Sequence, residues 1–176
     1  MPMRTLNSLG LAGVSAVLLV AFFYQLVFGE LPCPLCLLQR GAFVAVGIGF
    51  LLNIRFGSST AHYGLMLLGA VIGAATSARQ VLLHIKPDDA GYGSTLLGLH
   101  FYSWALIAFV GFIVYTGVLL LMESDRRPDT TPPEGLSRAG LWLFLLVVAG
   151  NLVSTLLECG VGPCADNPTS YLWLQG

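Results

Sequence analysis

Charge is scarce in this 176-residue sequence: only 10% of its residues are Asp, Glu, Lys or Arg, against about a quarter in an ordinary soluble domain. So few charges leave no basic patch for nucleic acid, and there is no phosphate-cradling glycine loop and no long internal repeat. What fills the chain instead is hydrocarbon, at 56% hydrophobic residues and a mean hydropathy of +0.80. A bilayer core of roughly 30 Å takes about 20 mostly apolar residues per helix. Five such runs are present, over about residues 8–28, 36–54, 62–85, 98–121 and 139–157. They nearly exhaust the chain, so residues 1–176 are expected to form one integral membrane domain in the lipid bilayer, with residues 158–176 as a tail.

The first run follows Arg4 and has the look of a secretory signal. It is, however, uncharged from Thr5 to Gly29, longer than the usual apolar region of about 7–15 residues, and lacks a small-residue cleavage pattern in "YQLVFGELP". It is expected to stay attached. Basic residues in short loops are retained on the cytoplasmic side. With the N-terminus inside, Arg4, Arg55, Arg126, Arg127 and Arg138 are all cytoplasmic, and only Arg40 and Lys86 lie near the outer boundary. Five spans then deliver the C-terminus to the outside. The segment "ESDRRPDTTPPEGLSR", Glu123 to Arg138, reads as an irregular cytoplasmic connector.

Cysteine is also scarce, and its placement is uneven. Cys33, Cys36, Cys159 and Cys164 make up the whole complement, and this topology puts all four outside and none in a cytoplasmic loop. In an oxidising compartment such as the bacterial periplasm, close thiols form disulfides. The groupings Cys-Pro-Leu-Cys and Cys-Gly-Val-Gly-Pro-Cys are each short enough to close internally. A bridge over so few residues restrains the unfolded chain little, which favours chemistry over stapling. A structural zinc site and purely structural disulfides are the bland alternatives. Haem attachment requires a histidine directly after Cys-x-x-Cys, and Leu37 stands there.

The setting of the first pair is "ELPCPLCLLQR", Glu30 to Arg40. Pro32 and Pro34 hold the approach extended and leave Cys36 in the first turn of the following helix. There, unpaired N–H groups and the helix dipole favour a thiolate. Arg40, four residues on, shares that helical face. Cys36 is therefore expected to have a depressed pKa, while the alternative for Arg40 is a headgroup anchor.

"CPLCLLQR" at the outer end of a second membrane helix resembles the DsbB family of quinone-dependent disulfide oxidases. The resemblance implies a four-helix membrane bundle in which the Cys-x-x-Cys pair passes electrons to bound ubiquinone or menaquinone. It further implies that Cys33 and Cys36 form the quinone-proximal disulfide, with the Cys36 thiolate facing the quinone and Arg40 touching it. One departure stands out. Family members carry their second cysteine pair between the third and fourth helices, but that loop here, "KPDDAGYGSTLLG", Lys86 to Gly98, has none. Cys159 and Cys164 follow an additional fifth span instead, on the same side.

In "SARQVLLHIKP", Gln80 and His84 lie one helical turn apart and Arg79 is an ionisable residue below the interface. Polar groups at that depth face the interior or a functional site, so Gln80, His84 and Arg79 join Arg40 as expected quinone-binding residues. His62 and His100 are read as interfacial, as are Tyr102, Trp104 and Trp142. Gly69 and Gly73 form a close-contact pair, expected to work inside the bundle.

The expected protein is therefore an all-α membrane bundle of four core transmembrane helices plus a fifth, with the N-terminus cytoplasmic and the C-terminus periplasmic, in the bacterial inner membrane. Its expected activity is that of a thiol:quinone oxidoreductase serving a periplasmic DsbA-like partner and the quinone pool. Electrons pass from the partner through Cys159/Cys164 to Cys33/Cys36 and on to quinone. A structural disulfide below about −300 mV lies roughly 180 mV, or about 8 kcal/mol for two electrons, from a DsbA-type oxidant near −120 mV. The pairs must therefore be strained or exposed, or be drawn forward by quinone reduction. A vitamin K epoxide reductase-like enzyme is the nearest rival, but its cysteine pairs come in the reverse order. A transmembrane reductant conduit would need cytoplasmic thiols, and a non-enzymatic protein with structural disulfides or a metal site is the remaining alternative.

Overall fold

The structure is a computed structural model that describes residues 3–123 and 135–174. Among the described residues there are five long α-helices: α1 Met3–Val27, α2 Pro34–Phe56, α3 Thr60–Leu83, α4 Phe101–Glu123 and α5 Gly135–Cys159. All five are long and apolar enough to cross a membrane, and the chain is an all-α membrane bundle. Residues 124–134 of the expected connector, with Arg126 and Arg127, lie outside the described residues.

Local chemistry sets the helix boundaries. Cys33 caps α2, with Pro34 in the first turn, where its missing N–H is no loss and its fixed φ suits the helix. Ser59 caps α3, its hydroxyl accepting from the Ala61 N–H. Only Gly57–Ser59 separates α2 from α3, so the two run antiparallel. At the end of α5, Gly160 takes φ 65° and its N–H returns to the Leu156 carbonyl at 2.9 Å, a left-handed stop that turns the tail back over the bundle.

The fourth span begins later than the hydropathy implies, at Phe101 rather than 98. The preceding residues form a small antiparallel hairpin, β1 Thr95–Leu96 with β2 Leu99–His100. Its two turn residues, Leu97 and Gly98, both have positive φ (53° and 81°), as a tight hairpin turn demands. Apolarity alone made those residues look like membrane helix.

α2 packs against α3, α3 against α4, and α1 against α2, while α5 lies along α1 and also touches α2. Val14, Leu18, Val46, Phe50, Tyr63, Met66, Phe109 and Phe144 make a continuous core. The Phe43 and Phe109 rings stack at 3.9 Å. Glycines permit this closeness: a Cβ on Gly69 would meet Ala45 and the Ala42 carbonyl, and one on Gly73 would strike the Phe109 ring. Both members of that pair thus face neighbouring helices of the bundle. The outward faces, with Leu68, Ile72 and Leu146 more than half exposed, present hydrocarbon to hydrocarbon.

A polar clasp closes the end opposite the cysteines. Asn53 of α2 donates to Asn7 of α1 at 2.9 Å, and its oxygen meets His62 Nδ1 at 2.9 Å and the Ser59 N–H at 3.2 Å. His62 therefore joins α3 to α2 rather than simply marking an interface. The helix order brings the start of α2, the ends of α1, α3 and α5, and the start of α4 to one end. All four cysteines sit there.

Candidate functional site

At that end the helix cap and the first cysteine pair are one device. The Cys33 Sγ, as N-cap, accepts the Cys36 backbone N–H at 3.3 Å, and the free thiols of Cys33 and Cys36 lie 2.6 Å apart. Gln80 of α3 reaches across to both, its Nε2 3.4 Å from the Cys33 sulfur and 3.6 Å from that of Cys36. Gln39 donates to the Gln80 Oε1 at 2.8 Å, which orients the Gln80 amide toward the sulfurs.

The helix N-terminal N–H expected to favour a thiolate at Cys36 is aimed at Cys33 instead. The cap position receives the donation, and Cys36 supplies it. The hydrogen bond from the Cys36 thiol pulls the Cys33 thiol well below the usual thiol range, with the Cys36 N–H and Gln80 acting the same way against the opposing effect of burial. The Cys33 thiolate therefore forms at a lower pH than that of an ordinary thiol. Iodoacetamide alkylation of Cys33 in the reduced protein, followed by mass spectrometry, should titrate with a midpoint below that of an ordinary thiol. Gln80→Leu should move it upward by about half to one unit, the equivalent of one hydrogen bond.

Cys36 also faces the other way, into an apolar cavity of about 350 Å³. α1, α2, α4 and the loop before α4 enclose it. Its walls include Val17, Leu18, Phe43 and Ala105, and its polar groups include Arg40 and Tyr92. Cys33 does not reach this wall. Arg40 is half-buried and donates to the Gln25 Oε1 at 2.6 Å, the Asn151 Oδ1 at 3.1 Å and the Ala21 carbonyl at 3.1 Å. The guanidinium is thus held inward, and Arg40, one helical turn beyond Cys36, lines the same cavity.

The loop that lacks cysteines covers this cavity. Tyr92 donates to the Leu31 carbonyl at 2.8 Å, and Glu30 accepts from the Ser94 N–H at 3.1 Å and from the Ser94 hydroxyl. These bonds tie the loop to the strand of chain that leads into Cys33. Burial pushes the Tyr92 phenol above its usual range, with negative charge at Cys33 and Cys36 adding to the effect, so Tyr92 remains a donor.

The other expected quinone residues lie elsewhere. Gln80 is buried against the cysteine sulfurs and does not line the cavity. His84 caps α3 and meets Asp89 at 3.0 Å; its ring is 5.6 Å from that of Tyr102, which does line the cavity. The Gly91 N–H first, and His84 second, hold the Asp89 carboxyl below its usual range, so this pair organises the loop. Arg79 is exposed on the outside of α3. His100 stacks on Tyr102 at 5.1 Å.

The second pair is bonded: Cys159 and Cys164 form a disulfide at the end of α5. Cys159 is buried and Cys164 half-exposed. A groove of about 260 Å³ with mixed polar and apolar walls opens beside them, lined by Glu158, Cys159, Asn167, Pro168 and Leu172 among others.

Gln25, Asn151, Glu158 and Tyr92 escaped the sequence reading. Gln25 and Asn151 are polar residues inside apolar spans, the same signal that singled out Gln80, while Glu158 stands just beyond the expected fifth span. Tyr92, in a loop, carries no such mark.

Fold and site together define a helical membrane protein with a cysteine pair at the mouth of an apolar cavity. A family model for "Disulfide bond formation protein DsbB" matches residues 3–94, and the chain belongs to the DsbB family. It is similar to disulfide bond formation protein B of Xanthomonas axonopodis pv. citri (strain 306), with 37% identity over 86 residues, 46% of this chain and 50% of the relative. The corresponding protein of Xylella fastidiosa (strain Temecula1 / ATCC 700964) is 39% identical over 80 residues, 43% of this chain and 46% of the relative. The chain spans about half the length of the curated relatives it matches. No solved structure matches it.

Proposed function

We propose that this protein is a membrane thiol:quinone oxidoreductase that reoxidises a periplasmic DsbA-like dithiol protein and so supports disulfide bond formation. The observation that carries the reading is the shared wall: Cys36 and Arg40 line one apolar cavity. An isoprenoid quinone combines a flat ring bearing two carbonyl acceptors with a hydrocarbon tail. Arg40 offers donors to the one, and Val17, Leu18, Phe43 and Ala105 offer an apolar surface to the other. When bound, ubiquinone or menaquinone supplies an acceptor for two electrons and two protons.

The chain's own residues do the rest. Cys33 and Cys36, in passing from dithiol to disulfide, release two electrons and two protons. Cys36 presents its sulfur to the cavity, while Cys33, activated by the cap and by Gln80, is positioned to close the bridge. Arg40 places positive charge where negative charge develops at the cavity wall. Tyr92 and the loop behind it exclude water. At the tail, thiolate attack needs access to a disulfide sulfur, and Cys164 is the more exposed of the two. The partner's two thiols then become its disulfide as Cys159 and Cys164 become thiols, and exchange with Cys33/Cys36 restores the tail.

The cysteine end is assigned to the periplasm of a bacterial inner membrane. The distribution of charge supports this, since Arg4, Arg55 and Arg138 all lie at the opposite end of the bundle. The purified full chain, mixed anaerobically with a reduced DsbA-like protein and a ubiquinone or menaquinone analogue, should reduce the quinone in proportion to the partner thiols oxidised. Absence of quinone reduction with several quinones and partners would overturn the reading.

A further inference from the structure

α5 lies wholly beyond the segment matched to the DsbB family, yet its inner face meets Arg40. An arginine near a helix end ordinarily snorkels toward the headgroups. Arg40 does not, because three acceptors hold its guanidinium inward: the Gln25 side chain and the Ala21 carbonyl of α1, and the Asn151 side chain of α5.

Both amides are locked in orientation. Arg40 can only donate, so the Gln25 oxygen must face it. The Gln25 nitrogen then points at α5 and the tail, toward Ser154 Oγ at 2.7 Å, Tyr171 Oη at 3.1 Å and Glu158 Oε2 at 3.5 Å. Asn151 is fixed likewise, its nitrogen donating to the Val147 carbonyl at 2.9 Å. Gln25, Asn151 and Ser154 are 2%, 6% and 5% exposed. Polar groups buried this deeply inside apolar spans are costly unless they serve a purpose. The one they share is to keep the Gln25 oxygen and the Asn151 oxygen on Arg40.

We propose that Asn151 and Ser154 of α5, acting with Gln25, are positioning residues that hold Arg40 on the cavity wall, so that the fifth helix is part of the electron-acceptor site. Asn151 acts by direct acceptance, and Ser154 acts through the Gln25 amide, whose nitrogen donates to its hydroxyl at 2.7 Å. The proposal rests on the quinone reading of the cavity for its kinetic consequence, but not for its geometric one.

Two measurements on the full chain in detergent separate these. With a ubiquinone analogue and reduced partner, Asn151→Leu and Gln25→Leu should each raise the apparent quinone KM at least about tenfold, as expected for loss of a charge-assisted hydrogen bond. The single exchange between reduced partner and tail disulfide, measured without quinone, should be unchanged. Asn151→Asp and Ser154→Thr, which keep an acceptor, should stay near wild type, and Ser154→Ala should shift the quinone KM in the same direction as Asn151→Leu but by less, because Tyr171 still accepts from Gln25. In a Cys33→Ser background, the ratio of iodoacetate to iodoacetamide reactivity at Cys36 reports the local positive charge with no quinone present. It should fall in Asn151→Leu and Gln25→Leu to the value given by Arg40→Met. If that ratio stays at the wild-type value in both, Arg40 is not positioned by α5 and the proposal is overturned. If the ratio falls while the wild-type chain reduces no quinone, the positioning stands and the quinone reading is what fails.

Discussion

Cys36→Ser is expected to abolish quinone reduction, with partner-dependent turnover falling by more than about a thousandfold, the scale on which loss of a group that acts as one unit with its partner registers. The reason is stoichiometric as well as geometric. Two electrons leave a dithiol only as a disulfide forms, and Cys36 is the member of its pair that borders the cavity. Cys33→Ser should be as inactive, since Cys36 then has no sulfur 2.6 Å away with which to close the bridge. Both variants should still exchange once with the partner through Cys159 and Cys164, and the absorbance of a ubiquinone analogue together with thiol counting reads both effects. Turnover of either variant above about a tenth of wild type would mean that electrons reach the acceptor without this pair.

The tail pair carries the second large effect. Changing Cys159 and Cys164 together to serine should lower partner-driven turnover at least about a hundredfold. Electrons delivered to Cys33 and Cys36 by a small dithiol should still reach quinone, because that route bypasses the tail. The single variants should differ from each other, because attack needs access and the two sulfurs are unequally buried. Cys159→Ser leaves the half-exposed Cys164 thiol able to attack oxidised partner and remain in a mixed disulfide with no Cys159 to resolve it. Cys164→Ser leaves only the buried Cys159, and far less of the adduct should be seen on non-reducing gels. A double variant that turns over as fast as wild type would show that the partner meets Cys33 and Cys36 directly.

Both effects depend on the two pairs sharing one end of the bundle, and that much was readable from hydropathy. Five apolar runs and short links force an up-and-down path, and an odd number of crossings separates the termini. Pro34, the cap at Cys33 and the position of Arg40 one turn beyond Cys36 are local in the chain, so the motif was legible too. The expected helix start at 98 was not, because Leu96, Leu97 and Leu99 are apolar enough to pass for membrane helix and only their backbone turns them into a hairpin. His84 and Arg79 show the same limit from another side. Sequence depth identified them as polar residues near the interface, but helix rotation decided that Gln80 points at the sulfurs, His84 at Asp89 and Arg79 outward.

The sequence by itself determined the membrane class, the number of spans, the shared side of the four cysteines and the candidate chemistry of "CPLCLLQR". Each of these follows from hydrophobicity and near-neighbour spacing, which act along the chain. Only the tertiary structure decided that the helix N–H favours Cys33 while Cys36 borders the cavity. It also decided that a loop without cysteines covers that cavity, and that Asn151, 111 residues away from Arg40, accepts its guanidinium. These depend on which face of each helix meets which neighbour, a choice made by side-chain packing at Gly47, Gly69 and Phe109 across distances that no local pattern in an apolar helix encodes.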